Sequence, residues 1–273
     1  MSHFTRIREP KIRQNTLHNR SNPRRLHGNA PMLTRALAVL ALLFGPSWVF
    51  AQMEPGPALQ RIARDDLCVT NGAVSTLPGG QLAIATPSSR AVVRATAENS
   101  ADQVAEIRFR YLGQSQTSKP LASGELRRQI GLKLRAQDTC NLIYAMWHIE
   151  PSAGIAVSIK RNAGMNTHEQ CGARGYVNFK AQNRVDLPPI RPGETHTLRA
   201  ELHGNDLTVT ADRKVAWQGP LGNELPALDG PPGFRTDNAR FEFEYYSEHS
   251  AKSPQRAQTT QPGPGRCVMS EGD

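Results

Sequence analysis

The chain has 273 residues, 38% of them hydrophobic, 6% aromatic and 21% charged, with a formal net charge of +9. That excess resembles a nucleic-acid binder's until the charges are located. Eight of the 33 Lys and Arg but only one of the 24 acids, Glu9, lie in residues 1–51, so the remainder is nearly neutral and no nucleic-acid partner is expected.

In chain order, the first expected unit is a basic leader with a signal peptide, residues 1–51. Arg35 precedes the apolar run Ala36 to Phe44; the breakers Gly45-Pro46 and then Val49-Phe50-Ala51 follow, which places a cleavage site after Ala51. Either Met1 or Met32 can serve as the start. The run is too short for a stable helix across a bilayer core of about 30 Å, so no membrane span is expected after cleavage. Residues 52–80 read as an irregular, turn-rich segment. Residues 81–249 form the expected domain, and residues 250–273, rich in Pro, Gly, Gln and Thr, form an expected disordered tail apart from Cys267.

Within the domain, short runs separated by Gly, Pro, Asn and Asp predict strands. They fall near Leu82 to Ala85, Ala91 to Ala95, Val104 to Tyr111, Arg127 to Ala136, Asn141 to Ile149, Ile155 to Lys160, Tyr176 to Phe179, Thr195 to Leu202, Leu207 to Ala211, Lys214 to Trp217 and Arg240 to Tyr246. Leu198, Ala200, Leu202 and Phe241, Phe243, Tyr245 alternate with polar partners and predict an inner layer. Gly204 to Asp206 predicts a hairpin turn. No stretch has a sustained helical period, so the expected fold is all-β, a two-sheet sandwich or barrel.

Export to an oxidising compartment makes the even set Cys68, Cys140, Cys171 and Cys267 a disulfide set. Three pairings are open. Cys140 with Cys171 and Cys68 with Cys267 is the favoured one, because the second bridge ties the domain's ends together. Metal binding through His168 and Cys171 is the alternative, but no Cys-x-x-Cys or second His–Cys cluster accompanies them, and no metal or cofactor is expected.

The stretches "HTLRAELHGNDLTVTADRKVAWQGPL" and "DGPPGFRTDNARFEFEYY" resemble the concanavalin A-like lectin/glucanase superfamily, in particular its laminin G-like and 3-keto-disaccharide hydrolase-like jelly rolls. Asp212-Arg213-Lys214-Val215 and Gly233 to Asn238 take the places of that family's hairpin and Gly-x-Arg-x-Asp-Asn turn. The resemblance implies an antiparallel jelly-roll sandwich in which Arg235, Asp237 and Asn238 are scaffold. A fainter likeness is to the alginate-type polysaccharide lyases. "SGELRRQ" keeps Glu125, Leu126 and Arg127 of an Arg-x-Glu-Leu-Arg strand, with Ser123 in place of the first Arg. "YVNFKA" keeps Phe179, Lys180 and Ala181 of a Tyr-Phe-Lys-Ala-Gly strand.

The main candidate site is a cationic face. Arg127, Gln129, Lys133 and Arg135 alternate with Ile130, Leu132 and Leu134, and Arg108 and Arg110 alternate with Ile107, Phe109 and Tyr111. Placed side by side on one sheet, these six would suit a carboxylated or sulfated polysaccharide, because Arg makes bidentate contacts to carboxylates. The bland reading is a solvated face whose charges protect against edge pairing. Trp147 and His148 point to opposite faces, and Trp147 is either a sugar platform at the margin or a core residue.

The loop "NAGMNTHEQCGARGY" brings His168, Arg174 and Tyr176 within nine positions, the groups a lyase would need to neutralise a uronate and move protons, or else it is only a stapled connection. Hydrolysis by paired acids has only Glu242 and Glu244 to draw on. His-Glu-x-x-His, Gly-x-Ser-x-Gly and phosphate-loop motifs are absent. The reading is therefore an exported protein of a bacterial envelope or its surroundings, binding a polysaccharide or oligosaccharide. A lyase or glycosidase, and a structural envelope protein without ligand, are the alternatives.

Overall fold

The computed structural model describes residues 58–94, 102–222 and 228–248 together with Cys267. The expected leader and signal segment, and the expected tail other than Cys267, lie outside the described residues. Sixteen strands follow one another: β1 Leu59–Arg61, β2 Leu67–Asn71, β3 Ser75–Thr76, β4 Leu82–Ile84, β5 Ser88–Val93, β6 Gln103–Gln114, β7 Arg128–Leu134 and β8 Leu142–Glu150. Then come β9 Gly154–Lys160, β10 Tyr176–Phe179, β11 Asn183–Arg184, β12 Thr195–His203, β13 Asp206–Ala211, β14 Lys214–Pro220, β15 Gly233–Asp237 and β16 Ala239–Glu248. A single helical turn, α1 His168–Cys171, sits between β9 and β10. No helix among the described residues is long and apolar enough to cross a membrane.

The strands form two antiparallel sheets, a jelly-roll sandwich. One has nine strands, ordered β11-β14-β13-β12-β6-β16-β4-β3 with β1 added on β16. The other has seven, ordered β10-β9-β8-β7-β15-β5-β2. Period-two alternation explains which faces meet. Phe241, Phe243 and Tyr245 on β16, and Leu198, Ala200 and Leu202 on β12, are buried against Ile130, Leu132, Leu134 and Phe234 of the second sheet. Gly204 and Asn205 turn β12 into β13, with Gly204 at φ 57°.

Aromatic rings fill the middle of this core. Phe109 meets Trp147 and Phe241 edge to face, each with centroids 5.7 Å apart, and Phe234 meets Phe243 at 5.1 Å and Tyr245 at 5.6 Å. Trp147 is 1% exposed, so it is a core residue and not a sugar platform. The alternation correctly separates it from His148 but does not say which of the two faces inward.

Three expectations are corrected here. The described part of the segment expected to be irregular, residues 58–80, is not so, because β1, β2 and β3 lie in it and join both sheets; strands of two to five residues are too short to display a period. The stretch from Gly233 to Asp237 is a central strand, and the turn begins only at Asn238, whose φ is 55° and whose amide bonds Lys119 O and Arg127 O. Lastly, β6 and β7 lie in different sheets, so Arg108 and Arg110 do not share a face with Arg127 to Arg135. Alternation reports which side chains are buried, not which sheet a strand joins.

The disulfides are Cys68–Cys267 and Cys140–Cys171, the favoured pairing, with Cα separations of 5.5 and 5.8 Å. In the chain-entropy account the shorter loop contributes about 3 to 4 kcal/mol and the longer about 5 kcal/mol. Truncating Phe109 to Ala should cost about 3 to 5 kcal/mol, and Arg110→Ala on the same strand less than about 0.5 kcal/mol, in urea unfolding of the oxidised protein. Equal losses would mean that the core does not lie between the two sheets.

Candidate functional site

The outer face of the nine-stranded sheet carries Arg108 and Arg110, and its charges are paired both along and across strands. Arg108 Nε lies 2.6 Å from Glu106 Oε1, and its guanidinium stacks 4.3 Å from the Tyr246 ring centroid. Arg110 faces Glu242 at 3.7 Å, Arg61 faces Glu244 at 3.2 Å, and Arg199 pairs with both Glu106 and Glu201. The hydrogen bond to Glu106 raises the Arg108 guanidinium further above its ordinary value despite some desolvation. Glu242 and Glu244 therefore neutralise arginines in this lattice, which is of the kind that contributes little at a surface.

The seven-stranded sheet is different, because its outer face is polar yet mostly covered. Register sets Ser88, Asp237, Gln129 and His148 on one rung. Arg90, Arg235, Gly131 and Met146 form the next, and Val92, Gly233, Lys133, Tyr144, Ser158 and Asn178 the one beyond. Gln129 is 3% exposed and Lys133 0%, so the expected exposed cationic face of β7 is a buried polar one. The reason is position: β7 runs between β8 and β15, and its outward side chains lie among theirs. Gly131 has no room for a side chain, since a Cβ would stand 2.6 Å from Ala145 O and against the Met146 sulfur.

Asp237 organises this face. Its Oδ2 accepts from Gln129 Nε2 at 2.6 Å and from Arg235 Nε at 2.7 Å, and its Oδ1 accepts from Ser88 Oγ at 3.3 Å and lies 3.9 Å from Arg90 Nη2. Burial pulls the Arg235 guanidinium down, but Asp237 and, to a lesser degree, Tyr144 and Tyr176 outweigh it and hold the group well above its ordinary value. Arg235 thus stays charged, 5.4 Å from the Tyr144 ring centroid.

Tyr144 in turn stacks on Tyr176 at 6.1 Å, with the planes 23° apart, and Lys160 Nζ lies 5.6 Å from the Tyr176 ring. Tyr176 is 39% exposed. Its position is set by the stapled loop before it. Cys171 ends α1 and is bonded to Cys140, the capping box of Thr167 and Gln170 starts the helix, and Gly175 allows Arg161 N to reach Gly175 O at 2.9 Å. Of the three loop residues expected to act together, only Tyr176 joins this face. His168 is exposed on α1, and Arg174 bonds back to the carbonyls of Cys171 and Gln170 at the end of that helix. Nearness in sequence does not survive a helical turn fixed by a disulfide. The same bridge removes Cys171 as a thiolate ligand, and no three His, Cys, Asp or Glu among the described residues are placed to hold a metal ion.

Two further residues of the expected face need placing. Arg135 follows β7 in a left-handed conformation, φ 43°, and donates to Gly204 O at 2.8 Å in the other sheet's hairpin, so it leaves the face. Arg127 stays at the rim, paired with Glu125, and its Nη1 lies 3.3 Å from His148 Nε2. A guanidinium can only donate, so Nε2 is the acceptor and the His148 proton sits on Nδ1. Burial, then the Arg127 charge, lowers the His148 imidazole from 6.5 to about 4, which leaves it neutral. Sequence reasoning missed Arg90, Tyr144 and Lys160 altogether and set Arg235 and Asp237 aside as scaffold. The usable signal for Arg235 and Asp237 was the alternation with Phe234 and Thr236.

No protein-family model and no curated protein matches this chain. Among solved structures, it is similar to the carbohydrate binding module CBM66 from Bacillus subtilis at 13% identity, covering 67% of this chain and 96% of that one with a TM-score of 0.47. The metal-free carbohydrate recognition domain of Emp46p is 11% identical over 67% of this chain and 88% of that one, TM-score 0.40. An alginate lyase A1-II′ variant is 12% identical over 66% and 85%, TM-score 0.39. These are likenesses of fold.

The state of His148 is directly measurable. Its folded value lies below its unfolded one, so the unfolded chain takes up the proton first. Stability is then complete above about pH 6.5 and falls by up to about 3 kcal/mol as pH drops to about 4. Long-range proton–nitrogen spectra should find the Nδ1-H tautomer, and Arg127→Ala should raise the His148 value. An unchanged value in that variant would mean that the guanidinium does not act on the ring.

Proposed function

We propose that this chain is an exported carbohydrate-binding sandwich that takes a carboxylated glycan on the outer face of its seven-stranded sheet. The observation that carries the reading is the Arg235–Tyr144–Tyr176 stack, a charged guanidinium leading through two aromatic faces to a half-exposed ring. A sugar presents a C–H face to an aromatic ring and, in a uronate, a carboxylate at its edge, and this face carries both kinds of partner, with Tyr144 between Tyr176 and Arg235. Asn178, exposed on β10, makes no side-chain hydrogen bond to a described residue and is placed to meet a hydroxyl. Export is supported by the two disulfides, which suit an oxidising compartment. Of the originally expected ligand residues, the reading keeps Arg127, Gln129 and Lys133 as the floor and rim. Arg108, Arg110, Arg135 and Trp147 have no part in it.

Lyase activity is the second reading, favoured by a neutral imidazole, His148, on the same face as Tyr176. β-Elimination leaves an unsaturated chain end that absorbs in the ultraviolet. A glycan that binds without ever giving that signal assigns binding alone.

Calorimetry with oligo-uronates tests the proposal. Tyr176→Ala should weaken binding about tenfold, the equivalent of about 1.4 kcal/mol, while Arg110→Ala leaves it unchanged. Binding should also weaken with added salt, as screening at about 0.15 M confines fields to about 8 Å. Uronate affinity lost equally with Arg110→Ala would move the site to the other sheet.

A further inference from the structure

A cavity of about 350 Å³ lies at one end of the same sheet. Its polar wall is made of Gln137, Asp138, Asn141, Arg161 and Asn166, and Met165 and Leu228 supply apolar surface. The volume is within the range of pockets that hold small organic ligands. Its lining is unlike the cationic floor, with three amides, the Asp138 carboxylate and a single guanidinium, a set of donors and acceptors that suits hydroxyls better than carboxylates.

Two observations join this cavity to the glycan face. Lys160, whose ammonium lies over Tyr176, also donates to Thr139 O at 2.9 Å, and Thr139 follows the cavity residue Asp138. The loop that carries Tyr176 onto the face also supplies Arg161, Ala163, Gly164, Met165 and Asn166 to the cavity wall. One covalent staple, Cys140–Cys171, holds both features.

The inner part of the wall is hydrogen-bonded within the protein. Asn141 Nδ2 donates to Asp138 Oδ1 at 2.9 Å and to Met165 O at 2.7 Å, its Oδ1 accepts from Asn162 N at 2.9 Å, and Asp138 also accepts from Cys140 N at 2.8 Å. These bonds occupy the inner polar groups. The Gln137 amide, by contrast, bonds no described residue through its side chain, and it is exposed.

We infer that the cavity is a second subsite of the glycan site, taking a further sugar residue of the same chain through its hydroxyls. The inference rests on the glycan reading above and adds length and a change of chemistry along the site, from carboxylate at Arg235 to hydroxyl at Gln137. A glycan that bridges the two gains from both, and on the protein's side the inner wall is already bonded, so the exposed Gln137 side chain is the main group left to order.

The test is calorimetry of the oxidised full chain with short (di- and trisaccharide) and long (penta- and hexasaccharide) oligo-uronates. The wild type should bind the long set about tenfold more tightly. Ala163→Trp, which fills the cavity from an exposed loop position, should abolish that gain and leave the short set unchanged; Gln137→Ala should reduce it without altering the melting temperature. A gain that persists in both variants, or a wild type indifferent to length, overturns the second subsite while leaving the face intact. If the wild type binds no oligo-uronate of any length, the glycan reading itself falls and takes this inference with it.

Discussion

The outer face of the seven-stranded sheet depends on one buried carboxylate. Asp237 lies on the central strand β15 and gathers Gln129 from one neighbouring strand, Arg90 and Ser88 from the other, and Arg235 from its own. Two guanidiniums sharing one carboxylate leave the cluster cationic. A buried ion pair is no strong source of stability, since desolvation offsets much of the attraction, but losing one partner leaves the others uncompensated. Its effect here is orientation: with its Nε on Asp237, Arg235 is held beside the Tyr144 ring.

From that point the site builds outward in order of decreasing rigidity. Strands β7, β15 and β5 form the polar floor, Tyr144 stands on β8, and Tyr176 opens β10 just after the loop stapled by Cys140–Cys171. Groups that must recognise a ligand are thus fixed by sheet hydrogen bonds or by a covalent bond, which limits the ordering entropy that binding costs. The nine-stranded sheet offers the contrast. Its outward Arg61, Arg108, Arg110 and Arg199 each meet a glutamate, and the outcome is a solvated lattice.

Much of the fold was legible because burial has a period. The alternations in β12 and β16 and the Gly204 turn follow from short-range pattern, and of three open cysteine pairings the favoured one is found. What was not legible is what long-range pairing decides. Arg108 and Arg127 sit on similar patterns, yet one strand pairs with β12 and β16 and the other with β8 and β15. Lys133 reads as a solvent-facing lysine from its spacing and is 0% exposed, because a central strand buries both of its faces. Arg235 and Asp237 were hidden by a Gly–Phe–Arg–Thr–Asp–Asn stretch whose Gly and Asn suggest a turn. Trp147 and His148 were separated correctly by parity, but choosing the inner one needed the ring neighbours of Trp147, Phe109 and His196.

The central claim is that ligand meets the arginines organised by Asp237. The most direct measurement is the arginine Nε–H region of proton–nitrogen spectra during titration with matched carboxylated and carboxyl-reduced oligosaccharides. The account requires the Arg235 and Arg90 signals to move with the carboxylated sugar alone, and those of Arg108, Arg110 and Arg199 to stay in place. Movement confined to that second group, or identical movement with both sugars, would contradict it.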